Sequence, residues 1–221
     1  MVHATLHATL HATLHALASL AVATAAMHSA AARATDDPTL WYVTRAAAIS
    51  AYILLTLTAG LGLLRSSVRA ARVRSAGLIW LLDEAHQYTA ALAAIFIGLH
   101  LVSLLFDPVV PFTLANLLVP IEEPYRQTAV NLGVFSLYTL GAVLLSSWMR
   151  RSLPYGFWRG LHFASFLAFV LVTLHGILAG ADSAQPWMQA VYGGAAGGVL
   201  ILVGVRLLVV AFAEPAGQTS A

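Results

Sequence analysis

Four histidines stand inside apolar runs at matching separations. The stretch HQYTAALAAIFIGLH opens at His86 and closes at His100, and HFASFLAFVLVTLH opens at His162 and closes at His175. In hydrocarbon an unpaired polar ring costs roughly 2–7 kcal/mol depending on the reference state, so each of the four needs a partner. Separations of 14 and 13 positions rise about 21 and 20 Å along a helix, which places the members of the two stretches at matched depths. Two neutral imidazoles facing each other from neighbouring helices can ligate haem iron on both axial faces, and a porphyrin suits an apolar slot between helices. Two such pairs at two depths make two haem b sites, along which an electron can pass from one leaflet to the other. Bis-histidine iron has no open position, so its chemistry is electron transfer rather than binding of a substrate at the metal. A lone intramembrane histidine is often only hydrogen-bonded to a neighbouring helix, and the matched depths of all four argue for ligation instead. Fourteen steps of 100° return His100 to within about 40° of the His86 face, whereas thirteen leave His175 about 140° from His162 on an ideal helix. Tilt, a winding defect or an offset between the haems has to absorb that difference.

The elements that must hold these residues follow from composition. The chain has 221 residues, 60% apolar and 9% charged, with a mean hydropathy of +0.82, which points to a polytopic membrane protein. Without cysteine it has no disulfides, thiolate metal sites or iron–sulfur clusters. Windows of about 20 apolar residues, enough to cross a ~30 Å hydrocarbon core, predict an all-α bundle of five transmembrane helices near 41–64, 78–106, 129–149, 158–180 and 188–212. Between Pro111 and Pro120 the stretch FTLANLLVP is too short to cross and reads as a short interfacial helix in the outer loop, lying over the bundle like a lid.

Arginine placement sets the orientation. Arg65, Arg69, Arg72 and Arg74 fill one connection and Arg150, Arg151 and Arg159 another, whereas the alternate loops carry Asp107, Glu122, Glu123, Asp182 and Arg126. The arginine loops are therefore cytoplasmic, as is the tail 213–221. The protein is expected to sit as a multi-pass protein in the cell inner or plasma membrane, with no nucleic acid partner. One span separates the two histidine spans, so they run in the same direction. His86 and His162 share the inner leaflet, and His100 and His175 share the outer one.

Residues 1–35 form a separate low-complexity region. Its HATL repeat puts His3, His7, His11 and His15 on one face of any helix, a spacing able to bind a metal ion. Tandem repetition of a short unit is more typical of low-complexity expansion or an over-extended start. The following ALASLAVATAAMHSAAA reads either as a signal-like segment or as a sixth span.

These histidine spacings, H-x13-H in one span and H-x12-H two spans later, follow the arginine-starting span RAAAISAYILLTLTAGLGLL. Together they resemble the ferric reductase-like transmembrane domain of ferric reductases, NADPH oxidases and the haem-binding, quinone-linked membrane subunit of the bacterial methionine sulfoxide reductase system. The resemblance covers about residues 41–210, and HGILAGADS after the last histidine looks like the small actinobacterial-type members. It implies a haem-binding domain over 41–212, with His86, His100, His162 and His175 as iron ligands in the pairing given above. Ferric reductases and NADPH oxidases continue into a domain binding FAD and NADPH. This chain ends about nine residues after its last span and has no GxGxxG fingerprint, so no FAD or NADPH site is expected in it. Its GGAAGG at 193–198 reads as close helix packing.

Among supporting residues, Arg159 and Arg72 or Arg74 could meet the propionates of the inner haem and Arg126 those of the outer one, by charge-assisted hydrogen bonds. Each is equally explained as a topology signal or a headgroup contact. Asp83 and Glu84 are expected in the first turn of their helix. The function these residues suggest is an oxidoreductase subunit. It would take electrons from a separate cytoplasmic flavoprotein or from quinol, and deliver them to an extracytoplasmic acceptor such as ferric iron, oxygen or a partner protein. The alternative is a transporter or metal-binding protein using the four histidines for a transition-metal cation, for which spans 129–149 and 188–212 lack acidic residues.

Overall fold

Apolar runs bounded by proline, serine and arginine become helices α1 (Thr39–Ala70), α2 (Ala76–Phe106), α3 (Leu114–Leu118), α4 (Gln127–Trp148), α5 (Tyr155–Ala179) and α6 (Pro186–Phe212). The computed structural model describes residues 38–107, 112–120 and 126–212, with Ser19 and Val22. The histidine repeat, the signal-like or sixth-span segment apart from Ser19 and Val22, and the tail 213–221 lie outside the described residues. Five of the helices are long and apolar enough to cross a membrane, and among the described residues there is no strand.

The ends of the helices have local causes. Pro38 and Pro154 stand just before α1 and α5, and Pro186 opens α6, positions where the missing N–H is not needed. Ser75 caps α2 by accepting from the Leu78 N–H at 3.3 Å. The first helix continues six residues past its expected end at 64, because Arg65 and Arg69 are good helix formers whose stems can lie along apolar surface. It stops in a left-handed turn at Arg72, with φ 55°. There Val73 N donates to Val68 O and Arg72 N to Arg69 O, both at 3.2 Å, a Schellman ending with arginine in the usual place of glycine. Since α2 starts at Ala76, Asp83 and Glu84 lie beyond its first turn, contrary to expectation.

The short helix between the two prolines is present as α3. Thr113 and Asn116 form a capping box, and the Tyr138 hydroxyl of α4 donates to the Leu118 carbonyl. Phe112 and Leu117 pack with Val130 against Leu101, Leu104 and Leu105, covering the C-terminal end of α2 and the N-terminal end of α4.

Two antiparallel hairpins build the bundle, α1 along α2 and α4 along α5, and α1 joins them by packing on α6 and α5. Tyr52 of α1 is the joint. Its ring stacks on Phe169 of α5 at 6.2 Å and meets Tyr192 of α6 edge-on at 5.3 Å. Gly176 admits Tyr192, since a Cβ there would lie 3.0 Å from the Tyr192 hydroxyl. By contrast α2 forms no packed interface with α4 or α5, which leaves a slot between the hairpins. A Cβ on Gly193, Gly194, Gly197 or Gly198 would meet nothing within 4 Å, so the close packing expected of these glycines is not made among the described residues.

Candidate functional site

The slot holds all four histidines. On α2, His86 Nδ1 lies 2.9 Å from the Thr58 carbonyl and His100 Nδ1 3.1 Å from the Thr44 carbonyl, both on α1. On α5, His175 Nδ1 lies 2.7 Å from the Ala129 carbonyl of α4, and His162 Nδ1 lies 3.5 Å from the Ser147 hydroxyl. A carbonyl oxygen only accepts, so in the first three contacts Nδ1 carries the proton and donates it. The lone pair is then on Nε2, the arrangement of a metal-ligating histidine whose other nitrogen is held.

Two glycines make room for these contacts. Gly62 lies one turn beyond Thr58, and a Cβ there would sit 3.2 Å from His86 Cε1. Gly133 lies one turn beyond Ala129, and a Cβ there would sit 2.8 Å from both Cε1 and Nδ1 of His175. Sequence reasoning missed both. Glycine within an apolar span is the signal that could have pointed to a close approach.

The histidines fall into two groups by depth, each in its own cavity, named inner and outer after the orientation expected from the arginine loops. The inner cavity, about 830 Å³, is lined by His86 and His162 together with Arg65, Arg69, Arg150 and Arg151. The outer cavity, about 250 Å³, is lined by His100 and His175, with Arg45 and Asp182 at its edge and Phe112 and Leu117 from the lid. Leu55, Ile97 and Leu140 line both and so form an apolar partition between them. The thirteen-residue spacing is absorbed without a break in α5, which is one continuous helix with a histidine in each cavity.

Two observations bear on the fit of haem, the first at the inner pair. The His86 and His162 ring centroids are 6.2 Å apart. At about 2 Å per metal–nitrogen bond plus each ring's own radius, two imidazoles on one metal ion set their centroids about 6 Å apart. Among the described residues no three His, Asp or Glu side chains converge as a metal-holding group. A bare cation in a protein cage usually takes three or four ligands, whereas isolated pairs suit a macrocycle that brings its own four.

The arginines distribute differently from the sequence expectation. Arg65, Arg69, Arg150 and Arg151 line the inner cavity, with Arg65 and Arg69 both paired to Asp83, the latter at 2.8 Å. Arg72 is the left-handed residue ending α1. Arg159 lies over the Phe163 ring at 5.6 Å, and neither lines that cavity. Arg126 donates to the Leu178 carbonyl at 2.7 Å, at the end of α5, and is not among the residues lining the outer cavity. Arg45 does line the outer cavity. It forms a two-point ion pair with Asp182, with Nε to Oδ2 at 2.9 Å, and lies 4.2 Å from the Trp41 ring centre.

A family model described as a ferric reductase like transmembrane component matches residues 47–174, more than half of the chain. No curated protein and no solved structure matches it.

Proposed function

Because the chain belongs to the ferric reductase-like transmembrane component family, we propose that it is an oxidoreductase membrane subunit carrying electrons across a bilayer on two haem b groups. His86 and His162 would hold the inner haem and His100 and His175 the outer one. Haem iron held by two imidazoles exchanges single electrons without opening a coordination position. The observation that carries the proposal is the pairing of the histidines in two stacked cavities, three of them with Nδ1 donated to a helix carbonyl and Nε2 left to ligate.

The remaining residues have supporting tasks. Arg65, Arg69, Arg150 and Arg151 would offset the propionate charge of the inner haem, and Arg45 that of the outer, by charge-assisted hydrogen bonds. Leu55, Ile97 and Leu140 exclude water between the two sites. Electrons would enter from a separate cytoplasmic flavoprotein or from quinol, with the C-terminus on the cytoplasmic side. They would leave to an extracytoplasmic acceptor such as ferric iron, oxygen or a partner protein.

The absorption spectrum of the purified protein tests this reading. A reduced b-type spectrum with about two haems per chain is expected from four ligands in two sites. A colourless protein that binds zinc or copper instead would overturn it.

A further inference from the structure

Resting on the two-haem reading, we infer that Thr44 with Ser103, and Thr58 with Thr89, are positioning residues that lock the two α2 imidazoles. Each pair closes a ring of hydrogen bonds through the histidine's own backbone. In the outer ring the Thr44 hydroxyl donates to Ser103 Oγ at 2.7 Å, and the Ser103 hydroxyl donates to the His100 carbonyl at 3.0 Å. His100 Nδ1–H then returns to the Thr44 carbonyl at 3.1 Å. In the inner ring the Thr58 hydroxyl reaches Thr89 Oγ1 at 3.0 Å and the Thr89 hydroxyl lies 3.2 Å from the His86 carbonyl. There His86 Nδ1–H donates to the Thr58 carbonyl at 2.9 Å. The inner hydroxyls are shared, Thr58 with the Leu54 carbonyl at 2.7 Å and Thr89 with the Ala85 carbonyl at 2.8 Å. The inner ring is therefore the looser of the two.

The two rings are copies of one device. Going 14 residues forward on α1, from Thr44 to Thr58, and 14 back on α2, from His100 to His86, carries one ring onto the other. The shared pattern is a threonine on α1 against His-x2-Ser/Thr on α2.

Hydroxyls in membrane helices commonly bond back to their own helix or bridge to a neighbour as glue. Here the same threonine gives its hydroxyl to the helix contact and its carbonyl to the imidazole. Ring orientation and helix register therefore cannot change independently. Thr44 and Ser103 are buried, so a lost link is not made good from bulk solvent. On α5 the residue three beyond His175 is Leu178, which has no hydroxyl, and although Ser165 stands three beyond His162, His162 Nδ1 faces the Ser147 hydroxyl at 3.5 Å rather than a helix carbonyl, so neither α5 histidine closes this ring. Each iron would thus have one locked ligand, from α2, and one ligand held by fewer bonds, from α5. A held Nδ1–H raises the basicity of Nε2, so loosening the locked imidazole would be read in the iron's potential.

The test uses the full-length haem-loaded protein and the near-isosteric change Thr44→Val, which removes the hydroxyl and keeps the carbonyl. Optical redox titration, low-temperature electron paramagnetic resonance and haem transfer to apomyoglobin are the readouts. Thr44→Val should raise the midpoint potential of the outer haem, alter its low-spin signal and speed its transfer about tenfold, the lower end of outer-shell effects. The inner haem should not respond. Ser103→Ala, which cuts the same link from the other side, should reproduce the shift, and Thr44→Ser should behave as wild type. Thr58→Val should do the same to the inner haem alone, and less strongly. An outer haem unchanged in Thr44→Val and Ser103→Ala, or both haems shifting equally, would overturn the inference while leaving the two-haem reading intact. A wild-type protein without haem would instead overturn that reading, and the inference with it.

Discussion

Replacing Gly133 by alanine isolates the tightest glycine contact made to a histidine of the site. The added Cβ would lie 2.8 Å from Nδ1 and Cε1 of His175, closer than such atoms approach in folded proteins. The neighbour is a ring on a nearby helix rather than the end of a flexible chain, so the ring must move by roughly half an ångström or more to reach ordinary contact. Its bond to the Ala129 carbonyl, 2.7 Å long, lies along the same approach and is lost or badly bent. An unmade buried hydrogen bond costs about 1–3 kcal/mol, and an imidazole about 30° off its rotamer adds about 0.5–1.5 kcal/mol. Together these amount to roughly 2–4 kcal/mol against the ligating geometry, or about 30- to 1,000-fold in occupancy of the outer haem. Measured by pyridine haemochrome stoichiometry and redox titration, Gly133→Ala should fall to about one haem per chain, the inner one. Gly62→Ala, whose Cβ would lie 3.2 Å from His86 Cε1, should weaken the inner haem only partly. Gly141→Ala, on the same helix as Gly133 but with nothing within 4 Å, should keep both haems. Retention of both haems at unchanged potentials in Gly133→Ala would refute the assigned role of this contact.

Further outcomes follow from the same geometry. His100→Ala and His175→Ala should each remove the same haem, and their double mutant should lose little more, because two residues serving one iron are not additive. His100→Ala/His162→Ala should abolish both haems, and a uniform, additive loss across the four single mutants would contradict the two-depth arrangement. A topology reporter fused after Ala221 should act as cytoplasmic and one near Asp182 as external, and the reverse would exchange the inner and outer assignments. The Arg45–Asp182 pair, with side chains 29% and 15% exposed, joins α1 to the turn after α5. Arg45→Gln should lower thermal stability by about 1–3 kcal/mol, and a double-mutant cycle with Asp182→Asn that gave no coupling would show the pair to be idle.

Much of this protein was determined by one dimension, the distance along the bilayer normal. A helix rises a fixed amount per residue and the hydrocarbon core has a fixed thickness, so apolar length alone set the five spans. The arginine loops give their expected direction, and residue number set the depth at which each histidine lies. That His86 shares a depth with His162, and His100 with His175, was legible for that reason. The lid at Leu114–Leu118 was legible too, from its two flanking prolines and a run too short to cross. Rotation about the helix axes was not legible, because lipid is as apolar as the inside of the bundle and leaves little amphipathic signal to show which face turns inward. Only the tertiary structure decided that Thr44, Thr58 and Ala129 present their carbonyls to the imidazoles and that Gly62 and Gly133 leave space for them. It likewise brought Arg65, Arg69, Arg150 and Arg151, rather than Arg72 and Arg159, to line the inner cavity. These are lateral relations between helices, fixed by register and side-chain volume, and neither length nor hydropathy carries them.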